Sequence, residues 1–294
     1  MLSLREPHCE WGTCEYCELQ IYYFLKLIKT GKLSLIFIKL YNNIKEKSNI
    51  YDFTCLLAGR DFKLMNIKES GFILINKPSG PTSHDVIDKL RRITGIKKIG
   101  HAGTLDPFAH GLLIVAIGRE ATREIDRFVK LDKEYVADLY LGATTDTYDR
   151  EGKISYKVES KKLKVIDKNK IKKILKKFIG KQKQVPPMYS AKKIKGKKLY
   201  ELARKGIEIQ REAVEIMIYE LEIRSYEWPR LKIKVKCSSG TYIRSLAYDV
   251  GEVLGCGAYL EELERTAIGK LKLSEAVSVK ELDDKSWENK LIFF

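Results

Sequence analysis

The chain has 294 residues, a length between one large domain and two small ones, and its 44% hydrophobic content is ample for a buried core, which places it among globular proteins and excludes a disordered chain. Lys and Arg number 55 against 39 Asp and Glu, a formal net charge of +16 that asks for a polyanionic partner. Residues 1–70 carry 10 basic and 8 acidic side chains, whereas residues 155–198 hold 17 lysines against only Glu159 and Asp167, a density suited to phosphates, although a solvated lysine-rich surface would look the same.

Six cysteines begin with Cys9, Cys14 and Cys17, and no cleavable secretory signal precedes them, so reduced thiols and a cytoplasmic location are expected. The C-x4-C-x2-C spacing beside His8 has enough donors for zinc or an iron-sulfur cluster, but without a second pair it fits chance equally, and no metal is assigned. Residues 20–41 are apolar but carry Lys26, Lys29, Lys32 and Lys39, which excludes a membrane span. Turn and cap signals are missing throughout this region, and Met65 would start a plausible shorter protein. Residues 1–64 therefore read either as a lineage-specific extension or as an upstream stretch joined by a misplaced start.

From Gly71 the punctuation sharpens. Residues 71–76 form an apolar run ended by Lys77-Pro78-Ser79-Gly80-Pro81, a strand entering a turn. Thr82 or Ser83 caps a helix running to Arg92, with Val86, Ile87, Leu90 and Ile93 on one face. Residues 112–117 and 135–141 read as strands and residues 170–179 as a short basic helix. Residues 212–223 and 230–237 alternate like strands, and a helix over residues 243–254 is closed by Gly255. The pattern is α+β, without a regular βαβ repeat.

Chemistry concentrates around Asp106. Asp106-Pro107 alone suits a helix N-cap followed by a favoured proline. Its setting between Gly100, His101, Gly103 and Gly111 instead suits a short loop that projects a carboxylate into a cleft. No paired acid, Cys-His dyad, His cluster, Walker motif or G-x-G-x-x-G accompanies it, which argues against a glycosidase, a cysteine hydrolase and the common nucleotide-binding folds. A carboxylate acting alone as nucleophile or base needs a cationic partner to stay ionised.

Several ordered blocks resemble the TruB-type tRNA pseudouridine synthases. Gly71 to Pro78 resembles the opening strand and Lys-Pro turn, and Gly100-His101-Ala102-Gly103-Thr104-Leu105-Asp106-Pro107 resembles the catalytic loop. Lys133-Glu134-Tyr135 with Thr145-Asp146-Thr147-Tyr148-Asp149, Val185-Pro186-Pro187-Met188-Tyr189-Ser190-Ala191, Cys237 to Leu246 and Leu263-Glu264-Arg265-Thr266 follow in order. The resemblance implies that Asp106 is the nucleophile, attacking either the uracil ring or the ribose C1′. It further implies that Arg244 pairs with Asp106 and that Tyr135 stacks on the base and is a candidate for removing the carbon-5 proton. His101 would fill the stack vacated by the flipped nucleotide. Tyr242 and Leu263 match apolar pocket walls, and Asp146 matches a polar residue near the cleft, for which a turn role is equally adequate. Lys77, Lys192 and Lys193 are assigned to RNA.

The implied fold is an α+β pseudouridine synthase fold with a central mixed, largely antiparallel sheet flanked by helices and crossed by an RNA cleft. Its catalytic domain spans residues 65–275, with a lysine-rich RNA-clamping insertion around 155–198 that is mobile before RNA binds. Only 28 residues follow Thr266, too few for a complete PUA-type domain, so residues 276–294 are expected as a short tail. The implied substrate is the T-loop uridine of tRNA, position 55 in tRNA numbering, converted without metal or organic cofactor, membrane or protein partner by a monomer. The rival reading is a non-catalytic RNA-binding protein or tRNA-folding chaperone on the same scaffold.

Overall fold

A computed structural model of the chain describes residues 70–156, 165–190, 193–194, 196–203, 206–207 and 209–293. The extension 1–64 with Cys9, Cys14 and Cys17, and Lys192, lie outside the described residues, as does the side chain of Lys193.

The strands, in chain order, are β1 (Gly71–Lys77), β2 (Ile99–Ala102), β3 (His110–Ile117), β4 (Lys133–Leu141), β5 (Ala143–Thr145), β6 (Ile154–Tyr156), β7 (Gly180–Gln184), β8 (Lys193–Ile194), β9 (Lys197–Lys198), β10 (Val214–Glu227), β11 (Arg230–Cys237), β12 (Ala258–Ile268), β13 (Leu271–Lys272) and β14 (Val277–Ser278). The helices are α1 (Ser83–Thr94), α2 (Arg119–Arg123), α3 (Asp126–Val129), α4 (Lys168–Leu175), α5 (Leu199–Ala203) and α6 (Ile243–Leu254). Local chemistry sets the helix ends. Thr82 and Asp85 form a reciprocal capping box at the start of α1, and Gly95 closes it at φ 64°. Gly255 closes α6 in the same left-handed conformation, at φ 80°.

One large sheet carries the fold, in the order β14-β1-β3-β12-β4-β11-β10-β7. The β1–β14 and β3–β12 pairs are parallel and the other neighbours antiparallel, so the sheet is mixed and largely antiparallel as expected. β1 and β3 are covered on both faces, by α1 with Val279, Leu282 and Trp287 on one side and by Ala121, Phe128 and Ile268 on the other. Their sequences are correspondingly almost wholly apolar. β4 buries every second residue against α4 and α6 and half-exposes the rest, which matches its alternating sequence.

β12, central to the sheet, has no counterpart among the sequence-read strands. Glu261, Glu262, Glu264 and Arg265 interrupt its apolar residues, and register shifts beside Leu260 and Arg265 break its period. Residues 276–293 also pack into the domain. β14 adds to β1, Trp287 is buried, and Phe72 and Ile292 exchange backbone hydrogen bonds of 3.0 and 2.8 Å. Within the lysine-rich segment, Ile171, Ile174 and Leu175 of α4 belong to the main core and β7 is an edge strand of the main sheet. That stretch is therefore partly framework. The α4 lysines remain exposed.

Candidate active site

The loop between β2 and β3 carries Asp106, and its backbone is tied at almost every step. Ser83 Oγ, at the start of α1, accepts from Leu105 N at 2.9 Å and lies 3.1 Å from Leu105 O as donor. Lys77 Nζ donates to the carbonyls of Pro78, Pro81 and Pro107 at 2.8, 2.6 and 3.2 Å, and Ser79 Oγ donates to Phe108 O at 2.7 Å. No helix starts at Asp106-Pro107, so the carboxylate is not spent as an N-cap. About a third of its side chain (33%) is exposed to solvent.

Arg244 enters from the second residue of α6. The N-cap residue Tyr242 offers no side-chain cap; Gln184 of β7 instead accepts from Tyr242 N at 2.8 Å and donates to Tyr242 O at 3.0 Å. The Arg244 guanidinium is buried and divided between two carboxylates. Nη2 donates to Asp106 Oδ1 at 3.2 Å and to Tyr189 O at 2.7 Å; Nη1 donates to Asp149 Oδ2 and Thr147 O, each at 3.1 Å. Nε stands 2.9 Å from Asp106 Oδ2 but off the line of a hydrogen bond, so that contact is an ion pair. Asp149 is itself buried, with Oδ1 accepting from Thr147 Oγ1 at 2.6 Å and Glu151 N at 3.0 Å. Tyr148, just before it, sits at φ 66° and stacks on Tyr248 of α6, 4.2 Å between centroids. A non-glycine residue in that conformation costs about 1–3 kcal/mol and persists only where its surroundings fix it.

Burial pushes the Asp106 carboxyl above its ordinary value, the Arg244 charge draws it back down, and the Asp149 carboxylate adds a second upward push. Tyr135 on β4 lies in the same apolar cluster as Leu105, Phe108 and Leu263. Burial raises its phenol while the neighbouring Arg265 guanidinium pulls against the rise. The His101 imidazole is lowered by burial and by the charge of Arg265, which favours the neutral ring, and its Nδ1 is buried without a hydrogen-bond partner.

The structure thus brings Asp106 and Arg244 into contact and puts Tyr135 and Leu263 in one buried apolar cluster. His101 lies on β2 leading into the loop, and Tyr242 stands at the head of α6, half-buried. Lys77 needs correction as an RNA contact. Its side chain is wholly buried, its ammonium is engaged by three carbonyls, and burial lowers it to about 8. Asp146 accepts from Lys153 N at 2.8 Å, which is the turn role. The second carboxylate on Arg244 is that of Asp149, inside the same block as Asp146 but with nothing in the sequence to distinguish the two. Among the described residues no cluster of metal ligands occurs, and no helix is long and apolar enough to cross a membrane.

The family model described as TruB family pseudouridylate synthase (N terminal domain) matches residues 91–243. The chain belongs to the TruB family. The model for the tRNA pseudouridylate synthase B C-terminal domain matches residues 244–292, taking in the residues expected as a tail. The boundary between the two TruB matches falls inside α6, so the Asp106–Arg244 pair joins them.

Among curated TruB-family relatives, the tRNA pseudouridine synthase B of Chlamydia muridarum (strain MoPn / Nigg) is 48% identical over 218 residues, 74% of this chain and 88% of its own. That of Protochlamydia amoebophila (strain UWE25) is 50% identical over 72% of this chain and 79% of its own. Among solved structures, a chain of a Cbf5-Nop10-Gar1 complex superposes with a TM-score of 0.58 at 31% identity, over 74% of this chain and 55% of that one. A chain of an H/ACA RNP bound to a substrate RNA containing 2'-deoxyuridine gives 0.55 at 28%, over 74% and 55%. The protein spans about half the length of those two chains and shares their pseudouridine synthase fold.

Proposed function

We propose that the chain isomerises a uridine of tRNA to pseudouridine, acting on the T loop with Asp106 as nucleophile. The observation that supports this most is the Asp106–Arg244 contact. A partly exposed carboxylate is held at two points by a buried guanidinium whose remaining donors are all occupied, so Asp106 is aimed and the guanidinium charge favours its ionised form.

Chemically, the N1–C1′ bond of the target nucleoside breaks, the uracil turns, and a C5–C1′ bond forms. The carbon-5 proton departs and N1 gains one, so the balance is that of an isomerisation. Asp106 forms the transient bond, to the ring or to C1′, and Tyr135 is the proposed acceptor of the carbon-5 proton. Leu105, Phe108 and Leu263 keep water from the detached base. A neutral His101 ring suits stacking in the gap the flipped nucleotide leaves. With Lys77 sequestered, the proposed phosphate contacts are the exposed Lys168, Lys170, Lys172, Lys173, Lys176 and Lys177 on and just after α4. The catalytic unit is proposed to be the part from Ser70 onward.

Incubating the protein with an unmodified tRNA transcript and mapping pseudouridine by carbodiimide tests the reading. The wild type is expected to modify the T loop, and Asp106→Asn to form no product while keeping RNA affinity within about tenfold, roughly 1.4 kcal/mol. Tight binding by a wild type that forms no pseudouridine would establish the chaperone reading instead.

A further inference from the structure

The anchors of the Asp106 loop leave one end unaccounted for. Leu105, Pro107 and Phe108 are held by Ser83, Lys77 and Ser79, whereas the entry to the loop at Gly103 is held by Arg265 of β12, whose Nη2 donates to Gly103 O at 3.0 Å. The same guanidinium donates through Nε to Leu112 O of β3 at 2.7 Å. Arg265 is 1% exposed, and among the described residues its hydrogen bonds run to carbonyls, with no carboxylate paired to it. A buried guanidinium without a counterion is costly, and a packed apolar side chain of similar volume would fill the same space at less expense. Its position accordingly calls for a task that charge and forked geometry perform and bulk does not.

The surroundings indicate that task. β12 brings Arg265 opposite Tyr135 of β4 on one side and opposite Gly111 of β3 on the other. Gly103 lies at φ 83°, and a side chain there would begin 3.5 Å from Arg265 Nη1, so loop backbone and guanidinium are in close packing. The Arg265 charge also opposes the effect of burial on the Tyr135 hydroxyl. One residue therefore bonds the loop that bears the nucleophile and the strand that follows that loop, and pairs across the sheet with the proposed proton acceptor.

We infer that Arg265 is a positioning residue of the isomerisation, fixing the Gly103 end of the Asp106 loop relative to β3 and to Tyr135. It does not touch the substrate; it acts through the backbone that sets where the Asp106 carboxylate stands. This rests on the functional reading above.

The test compares wild type, Arg265→Met and Arg265→Lys in the full chain on the same tRNA transcript. It records the single-turnover rate at saturating enzyme, the RNA dissociation constant and the thermal midpoint. Arg265→Met is expected to remain folded at the assay temperature, to keep its dissociation constant within about threefold, and to lose about 100-fold in rate, as for misplacement of a reacting group by about 1 Å. Arg265→Lys, with one charged donor in place of a fork, is expected to recover about tenfold of that loss. A rate within threefold of wild type in Arg265→Met, or an equal loss in affinity and rate, overturns the inference while leaving the activity standing. If Arg265→Met does not fold, Arg265→Lys decides: folded, tight-binding and slowed about tenfold supports the inference, and a wild-type rate refutes it. A wild type that forms no pseudouridine removes both the functional reading and this inference.

Discussion

Replacing Asp149 by Asn probes whether Arg244 is aimed from behind by a second carboxylate. The change preserves shape, yet the site has no place for an amide. Asp149 Oδ1 accepts from Thr147 Oγ1 and Glu151 N, and Oδ2 accepts from Arg244 Nη1, so an NH2 group meets donors on either side. The arrangement that keeps the two Oδ1 bonds turns the amide nitrogen towards the guanidinium and loses one charge-assisted hydrogen bond, worth about 1.5–3 kcal/mol. Felt wholly in the transition state, that is a rate loss of about 10- to 150-fold at about 1.4 kcal/mol per decade. A pH signature should accompany it. As the proposed nucleophile Asp106 has to be ionised, so activity is expected to fall as pH drops through its raised pKa, and the Asp149 charge is one of the causes of that rise. Removing the charge lowers the Asp106 pKa and moves the acidic limb to lower pH. Single-turnover pseudouridine formation across pH, with RNA affinity measured in parallel, reads both effects. An unchanged rate, or an acidic limb that moves to higher pH, would refute the proposed role of Asp149.

Gly111 lies at φ 104° with the space for a Cβ only 2.5 Å from Arg265 O, so Gly111→Ala should separate β3 from β12; a cost of about 3 kcal/mol and a fall of about 10 °C in the thermal midpoint are expected, and an unchanged midpoint would contradict the close approach. Asp249 is raised to about 6 by burial and by Glu252, so the fold favours its neutral form: the associated stability is complete below the unfolded value near 4 and is lost as pH rises through about 6. Asp249→Asn should therefore melt higher than wild type at pH 7.5, with the gain disappearing below pH 4, which thermal melts at the two pH values would check. A chain begun at Met65 is expected to modify tRNA at the wild-type rate; an inactive or unfolded product would show that residues 1–64 belong to the catalytic unit.

Short-range signals made much of the framework legible. The apolar run of β1, the Thr82 cap and Gly95 stop of α1, and the Gly255 end of α6 are each set by residues within a turn or two of one another. The ordered motifs identified the family and with it the pairing of Asp106 with Arg244, which no periodicity could have linked across 138 positions. Burial and partnering were decided only by tertiary structure. β12 disguises a central strand behind its glutamates because one face of it stays near solvent. Lys77 reads as a surface cation until the Pro107 carbonyl, 30 residues away, closes over its ammonium. Asp146 and Asp149 are equivalent acids in sequence, and only the fold turns one towards a loop amide and the other towards Arg244. Charge, periodicity and caps are properties of a residue and its near neighbours, whereas the value of a buried charge depends on which distant groups the sheet carries to it.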